Sequence, residues 1–280
     1  DCLSSIDKNV KVLIIENSNS FAHKDKILSK FDNVSILCTG KNLGYGGGNN
    51  FGIKEAKTDY VLILNPDVIC GKDFFTHVNG VIEKNKNFSI IGCQYLYDKV
   101  FMPAGFFNKK SNKKFVENFK DDKIGELVEV DWVTGCSMLL NIRKFSNKKI
   151  FDENFFLYFE ETDYCIRSNK NNFKIYQVNS QKVYHEIGTS VETTSEEEVK
   201  KLNNLFAWHF IWSKFYYFGK RYGRLISIIL FLPIFTRIIF RICLFTISRN
   251  KKNKSKYLVR LNGLVNSIKN NKSYKRIDDF

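Results

Sequence analysis

The sequence predicts an α/β fold with a Rossmann-like mixed sheet flanked by helices, followed by a basic helical tail. Three observations predict it. Short apolar runs of strand type, VKVLII at Val10–Ile15 and YVLIL at Tyr60–Leu64, alternate with polar stretches of helical length. Between them lies KNLGYGGGNNFGIKEAKTDYVLILNPD, Lys41–Asp67, where a glycine-rich turn, a helix, a strand and an acidic tip follow without a gap. The excess charge is confined to one end: residues 200–280 hold 18 Lys and Arg against 2 acids, while residues 1–199 hold 26 against 27.

With 280 residues, 44% of them hydrophobic, and three prolines, the chain reads as globular and long enough to bury a core. Seven cysteines, odd in number, scattered and without a CxxC pair, read as small core residues in a reducing compartment, and no zinc site is expected. No basic start followed by an apolar run marks a signal peptide. The first residue is Asp1, which leads us to expect that an N-terminal piece precedes this sequence.

Val10–Ile15 is a central-strand candidate ending in the polar tip Glu16-Asn17-Ser18-Asn19-Ser20, with a helix from about Ala22 to Phe31 and a second strand at Val34–Cys38. Gly44, Gly46, Gly47 and Gly48 permit positive φ and close approach to a ligand, and amides opening a helix over about Asn49–Lys57 would face an anion. Tyr60–Leu64 then delivers Asn65-Pro66-Asp67 to the carboxyl edge of the sheet, where ligands of open α/β sheets sit. Each feature also has a plainer reading, since glycine-rich turns are common where no phosphate binds and Asn-Pro-Asp forms turns by itself. A helix over Lys72–Asn85, a strand at Ser89–Gln94 and a mobile loop or hairpin over residues 98–124 follow. VEVDWVTGCSMLL, Val128–Leu140, is a strand region with a small-residue step at Thr134-Gly135. FDENFFLYFEETDYCIR, Phe151–Arg167, sets Glu160, Glu161 and Asp163 at the start of a helix, where the dipole favours ionised carboxylates. Strands at Phe173–Val178 and Lys182–His185 end in His185-Glu186-Ile187-Gly188-Thr189-Ser190.

In this order the motifs resemble family 2 glycosyltransferases of the GT-A fold, in particular rhamnosyltransferase-like members. The likeness covers roughly residues 10–190, with a weaker match to about residue 223. It implies that Glu16, Asn17, Asn42, Gly44, Tyr45, Gly46, Asn49, Asn50, Asn65, Thr134 and Gly135 contact the nucleotide-sugar donor. Asp131 and Trp132 join them on the donor or acceptor side. Asp67 and His185 would hold Mg²⁺ or Mn²⁺ against the diphosphate, one carboxylate plus phosphates sufficing for such an ion. Glu161 matches the family's general base, with Glu160 and Asp163 beside it. The chain departs from the pattern at Glu16 and Glu161, where aspartate is usual, and at Asn65, which often carries the first acid of an Asp-x-Asp pair. The family's opening strand is also missing, and we read the sequence as truncated there.

From about Ser195 the pattern is helical, and WHFIWSKFYYFGKRYG offers Tyr216, Tyr217 and Lys220 for an acceptor or lipid-headgroup surface. Leu225–Ile247, 23 apolar-rich residues, is interrupted by Pro233, Arg237 and Arg241. Arginines in mid-span are expensive, so the expectation is a kinked helix at the interface of an anionic membrane, with Arg249–Lys256 as a basic anchor. A transmembrane helix and a buried soluble helix are the alternatives. Basic and aromatic residues also suit nucleic acid, but an apolar run between basic blocks fits lipid better, and no nucleic-acid partner is expected.

The expectation is thus a catalytic domain over residues 1–194 and a membrane-associating tail over 195–280. The enzyme would be an inverting, metal-dependent glycosyltransferase at the cytoplasmic face of the inner membrane. Its donor would be dTDP-rhamnose and its acceptor a lipid-linked glycan or polysaccharide. The alternative is a catalytically weak GT-A module serving as a glycan-binding or assembly partner.

Overall fold

The computed structural model of the protein describes residues 1–97, 100–102, 104–120, 126–144, 150–185 and 195–280. The expected Gly-Thr-Ser step at 188–190 and the domain boundary at 194/195 fall on or beside residues outside that set. The chain forms two compact units: one comprises Asp1–Leu43, Gly47–Asp152 and Glu161–Glu192, the other Gly44–Gly46, Glu153–Glu160 and Thr193–Phe280.

In the first unit β1 (Val12–Glu16) and β2 (Val34–Cys38), joined through α1 (Lys24–Leu28), pair in parallel with Glu16 opposite Cys38. Helix α2 (Gly44–Glu55) leads to β3 (Tyr60–Leu64), and a tight turn closed by Val68 N–H to Asn65 C=O at 3.1 Å passes to β4 (Val68–Cys70). Pro66 stands second in that turn, where its fixed φ is the one required. There follow α3 (Phe74–Lys84), β5 (Ile90–Tyr97), β6 (Val100–Met102), α4 (Lys109–Lys120), β7 (Leu127–Glu129), β8 (Ser137–Asn141), α5 (Glu160–Lys170) and β9 (Ile175–His185).

The larger sheet runs β3-β8-β5-β9-β4, with β6 on β5 and β7 on β9. Strand β8 is antiparallel to both β3 and β5, and β9 is parallel to β5. Strands β3, β5 and β9 therefore point the same way, and their carboxyl ends share an edge. All five residues of β8 are buried, as a strand covered on both faces requires. Helix α3 supplies cover through Phe74, Val78 and Val81, spaced along one face and packed in the cluster that holds Val68, Phe88, Leu139 and Val183.

Several expectations are corrected. Strand β1 is paired in a two-stranded sheet with β2 and is only partly buried, so it is not central among the described strands. Helix α2 begins at Gly44 instead of near Asn49, and it lies close against β1, where a β-carbon on Gly52 would stand 2.8 Å from Ile15. Packing here overrides glycine's poor helix propensity. The 98–124 excursion holds α4, whose start Asn108 caps by accepting the amides of Lys110 and Ser111 at 3.0 and 3.1 Å. Its buried Phe115 packs edge-on to Phe106. The strands expected at 173–178 and 182–185 are the two halves of β9, whose register with β5 shifts between Cys93 and Gln94.

The second unit is built on α6 (Glu196–Tyr222), α7 (Arg224–Ile247) and α8 (Lys251–Ile268). Ser195 caps α6 by accepting the Glu198 amide at 3.2 Å, with Glu196, Glu197 and Glu198 against the positive end of the dipole. Ile211, Phe215, Phe231, Ile238 and Leu264 form the core among the three helices. Helix α8 takes in much of the basic stretch that was read only as a membrane anchor. The remainder of α7 is apolar and exposed: Leu225 is 79% accessible, Ile229 65%, Phe240 65% and Ile247 81%, and Arg237 and Arg241 are exposed beside them.

Candidate active site

Asp67 and His185 meet because of strand register. The tight turn places Asp67 immediately before Val68, and Val68 pairs with His185 at the end of β9. The His185 Nε2 lies 3.1 Å from the Asp67 Oδ1, with side chains only 12% and 4% exposed. The Asp67 carboxylate, and after it the Cys136 side chain, raise the imidazole's pKa from 6.5 to about 9. Cys136 also binds this corner through its backbone, accepting the Asn65 amide at 3.0 Å, and the Thr134 hydroxyl lies 3.5 Å from its sulfur. Asn65, Asp67, Thr134, Gly135 and His185 thus gather at the carboxyl edge of β3 and β9.

A carboxylate and an imidazole are competent donors to a divalent cation, Mn²⁺ tolerating nitrogen better than Mg²⁺. The fit is partial. With a pKa near 9 the imidazole is protonated at neutral pH and neutralises Asp67, so binding a cation means giving up that proton. Among the described residues no group of three His, Cys, Asp or Glu forms a cage. Any further ligands would be phosphate oxygens and water.

The polar tip after β1 is organised by Asn17. Its Oδ1 accepts the Leu43 amide at 2.9 Å and the Thr39 hydroxyl at 3.2 Å, and its Nδ2 donates to Asn42 at 3.2 Å. Asn17 and Asn42 therefore shape the approach to α2, beside the partly buried Glu16.

Gly44 alone of the four turn glycines has positive φ, at 77°. A β-carbon there would stand 2.3 Å from the Phe156 carbonyl oxygen, which accepts the Tyr45 amide at 3.0 Å. The start of α2 is thus capped by the protein's own chain. This corrects the expectation that the turn amides simply face a phosphate: Gly44 is required for contact with Phe156, and Gly46 is buried in the helix. Asn49 is partly buried on the same helix. Asn50 is corrected too. It is 4% exposed, its Oδ1 accepts the amides of Ile150 and Phe151 at 3.1 and 2.9 Å, and its Nδ2 donates to the Phe151 carbonyl at 2.9 Å. Its amide pins one backbone segment.

That segment also secures α5. Arg167 donates to the Ile150 carbonyl and pairs with Asp163 at 2.9 Å. Asp163, 5% exposed, therefore fixes the helix and is not held ready for proton transfer. Glu160 is 1% exposed, and its charge, second to burial, raises the Tyr158 pKa. Glu161 is partly exposed, with its carboxyl raised above the ordinary range by burial, against lowering by its own amide and by Thr162. Of the three acids, Glu161 combines access with a raised proton affinity. Just before them Tyr158 and Phe159 both adopt left-handed φ, 73° and 72°, each costing about 1–3 kcal/mol that the surrounding contacts must offset.

Residues 131–136 connect α5 to the Asp67–His185 corner. Asn169 donates to the Asp131 carbonyl at 3.0 Å, and Cys165, one turn beyond Glu161, lies against the Val133 backbone. Three residues further on, Cys136 touches Asn65 and His185. Three extended residues span at most about 10 Å. Sequence reasoning missed this bridge, although the Thr134-Gly135 step marked its position. Asp131 and Trp132 themselves pin the 105–107 loop, Asp131 accepting the Phe107 amide at 2.8 Å and Trp132 exchanging backbone bonds with Gly105.

In the second unit, Tyr217 is buried with its ring against Phe159, and Tyr216 packs on Phe155 and Trp212. The Lys220 ammonium lies over the Phe155 and Tyr216 rings. This corrects the reading of Tyr217 as part of an acceptor or headgroup surface, since its ring is buried against the 155–159 segment; Tyr216 is half-buried there and Lys220 remains exposed.

Comparison with known proteins gives the family. The sequence profile described as Glycosyl transferase family 2 matches residues 1–151. The low-salt glycan biosynthesis hexosyltransferase Agl10 of Haloferax volcanii is 28% identical over 182 residues, 62% of this chain and 58% of that protein. The rhamnosyltransferase WbbL of Escherichia coli K12 is 24% identical over 242 residues, 78% of this chain and 86% of that one. The dTDP-rhamnosyl transferase RfbF of Shigella flexneri is 22% identical over 194 residues, 65% of this chain and 62% of its own. The match thus spans less than two thirds of Agl10 and RfbF. A solved structure of S. aureus TarS residues 1–349 with UDP-GlcNAc aligns over 98% of this chain and 88% of that one at 12% identity and TM-score 0.49. The chain belongs to glycosyl transferase family 2, and its mixed sheet flanked by helices is of the GT-A type.

Proposed function

We propose that the protein is an inverting glycosyltransferase of glycan biosynthesis, moving a sugar from a nucleotide donor to a hydroxyl of a lipid-linked or polysaccharide acceptor. The observation that carries this reading is the 131–136 bridge. It ties the helix bearing Glu161 to the edge bearing Asp67 and His185, so an acid able to take a proton and a pair able to face a diphosphate belong to one compact unit. Glu161 accepts the proton of the attacking hydroxyl as the nucleotide leaves from the opposite face of the sugar carbon. Its burial-raised pKa keeps it basic enough for that task.

Asp67 and His185 would hold Mg²⁺ or Mn²⁺, whose chemistry there would be to offset negative charge on the diphosphate. Glu16 and the Asn17–Asn42 loop flank the nucleoside, and Asn65, Thr134 and Gly135 face the donor sugar and phosphates. Names among the relatives, WbbL and RfbF, favour rhamnose as the sugar and dTDP as its carrier. Residues 1–194 form the catalytic domain and 195–280 the membrane-associating tail. The exposed apolar face of α7, the one described helix long and apolar enough to cross a membrane, lies at the cytoplasmic surface of an anionic bilayer, with Arg237, Arg241 and the basic start of α8 toward headgroups.

The closed Asp67–His185 pair favours one second reading, a weakly active module that binds glycan and assembles with other enzymes. A panel of nucleotide sugars with lipid-linked and soluble acceptors, read by mass spectrometry of the product, separates them. The proposal expects one sugar added to an acceptor hydroxyl and stoichiometric release of nucleotide. Binding of glycan with no product from any donor supports the module instead.

A further inference from the structure

Residues 155–159, which run directly into α5, are gripped by the helical tail within the second unit. The Phe155 ring meets Tyr216 at 4.9 Å. The Phe156 ring meets the His209 imidazole at 4.7 Å and the Arg276 guanidinium at 3.8 Å. Tyr158 and Phe159 both meet Phe210, at 5.5 and 5.8 Å. The backbone is held as well: Ser213 on α6, fully buried, donates its hydroxyl to the Leu157 carbonyl at 2.7 Å. A helical serine usually turns its hydroxyl to the carbonyl one turn back in its own helix. Ser213 reaches out of its helix instead, to the residue preceding the two left-handed ones, Tyr158 and Phe159.

We propose that Ser213 is a positioning residue for sugar transfer: by holding the Leu157 carbonyl it fixes Tyr158 and Phe159 in their left-handed turn, and through them the first turn of α5 on which Glu161 stands. This rests on Glu161 being the base, as proposed above. It gives α6 a task beside packing in the three-helix core: holding the turn that leads into α5.

Ser267 on α8 is a matched control. It is buried, and its hydroxyl donates to the Trp212 carbonyl at 2.8 Å, the same kind of bond made between α8 and α6 instead of to the 155–159 backbone. Ser213→Ala and Ser267→Ala are therefore expected to lower the melting temperature alike. Only Ser213→Ala should reduce kcat, by about 10- to 100-fold, as misplacement of a reacting group by about an ångström does. The donor KM should stay within about twofold, because the donor side is untouched. The acidic limb of the pH profile of kcat should shift in Ser213→Ala alone, since it reports the surroundings of the base. Equal kcat and coincident profiles for the two variants overturn the proposal.

Hydrogen exchange supplies a readout independent of turnover. The amides of Tyr164 and Cys165, which bond the carbonyls of Glu160 and Glu161 in an α-helix, should exchange faster in Ser213→Ala than in Ser267→Ala. If the wild type transfers no sugar, the proposed function fails, while faster exchange confined to Ser213→Ala still assigns the holding role. Unchanged exchange removes that role as well.

Discussion

Removing either member of the Asp67–His185 pair leaves the other nearly buried and without its partner in the pair, at a cost of about 3–5 kcal/mol. Asp67→Asn keeps the shape and a hydrogen bond while removing the charge. We predict that this variant still folds cooperatively yet loses stimulation of turnover by Mg²⁺ or Mn²⁺, the same loss that chelation brings to the wild type. Metal-dependent turnover at the wild-type level in Asp67→Asn would show that the ion is held elsewhere. At this scale the sequence was legible where chemistry selects a residue type. Asp67 was marked by the strand that precedes it, and Glu161 by two more acids in one helical turn. It was illegible where a side chain serves the fold. Asn50, Asp163 and Tyr217 have the residue types of ligands, but their partners are Ile150 with Phe151, Arg167, and Phe159, contacts made by tertiary packing and absent from any local pattern. Gly44 lies between, since its need for positive φ was readable while its neighbour Phe156, 112 positions along, was not.

Helix α7 is where element-scale reasoning is most exposed to test. Its inward face, through Phe231 and Ile238, belongs to the three-helix core, and its outward face carries Leu225, Ile229 and Phe240. Truncation after residue 224 would strip α6 of its partners and remove Arg276 from Phe156, so it cannot report membrane contact alone. Substituting the outward face leaves the core intact. Ile229→Glu with Phe240→Glu should abolish sedimentation with liposomes containing anionic lipid while leaving the melting temperature within about 2 °C, surface changes being worth roughly ±0.5 kcal/mol. Retained sedimentation would reject the lipid-facing role of α7. The strands and helices themselves were readable to within a few residues where periodicity was strong, as at β2 and β3. Helix α4 escaped notice because its lysines and asparagines resemble loop composition, and its Asn108 cap acts only once Phe115 has found a buried site. Helix α8 lay within the expected helical tail, but its bounds and its packing were not read, basic residues dominating a stretch whose apolar partners lie on α6.

The molecule as a whole brings distant segments together through short connections. Residues 150–151 join α2 to α5, and 131–136 join α5 to the edge where β3 and β9 end. Neither link could be read beforehand, since both depend on backbone groups, which carry no sequence signature. What was readable is the order of the motifs, and that order placed the chain in its family. The central claim is that Glu161 removes the acceptor proton while the edge bearing Asp67 and His185 manages the diphosphate. Turnover of wild type and Glu161→Gln, measured across pH with nucleotide affinity determined in parallel, tests it most directly. The account predicts a fall of about 10²–10⁴-fold in kcat with nucleotide affinity unchanged. It also predicts that wild-type activity rises with pH through a pKa above the ordinary carboxylate range, as a base that must be ionised and is raised by burial requires. Wild-type kcat in Glu161→Gln, or an equal loss of nucleotide binding, would contradict it.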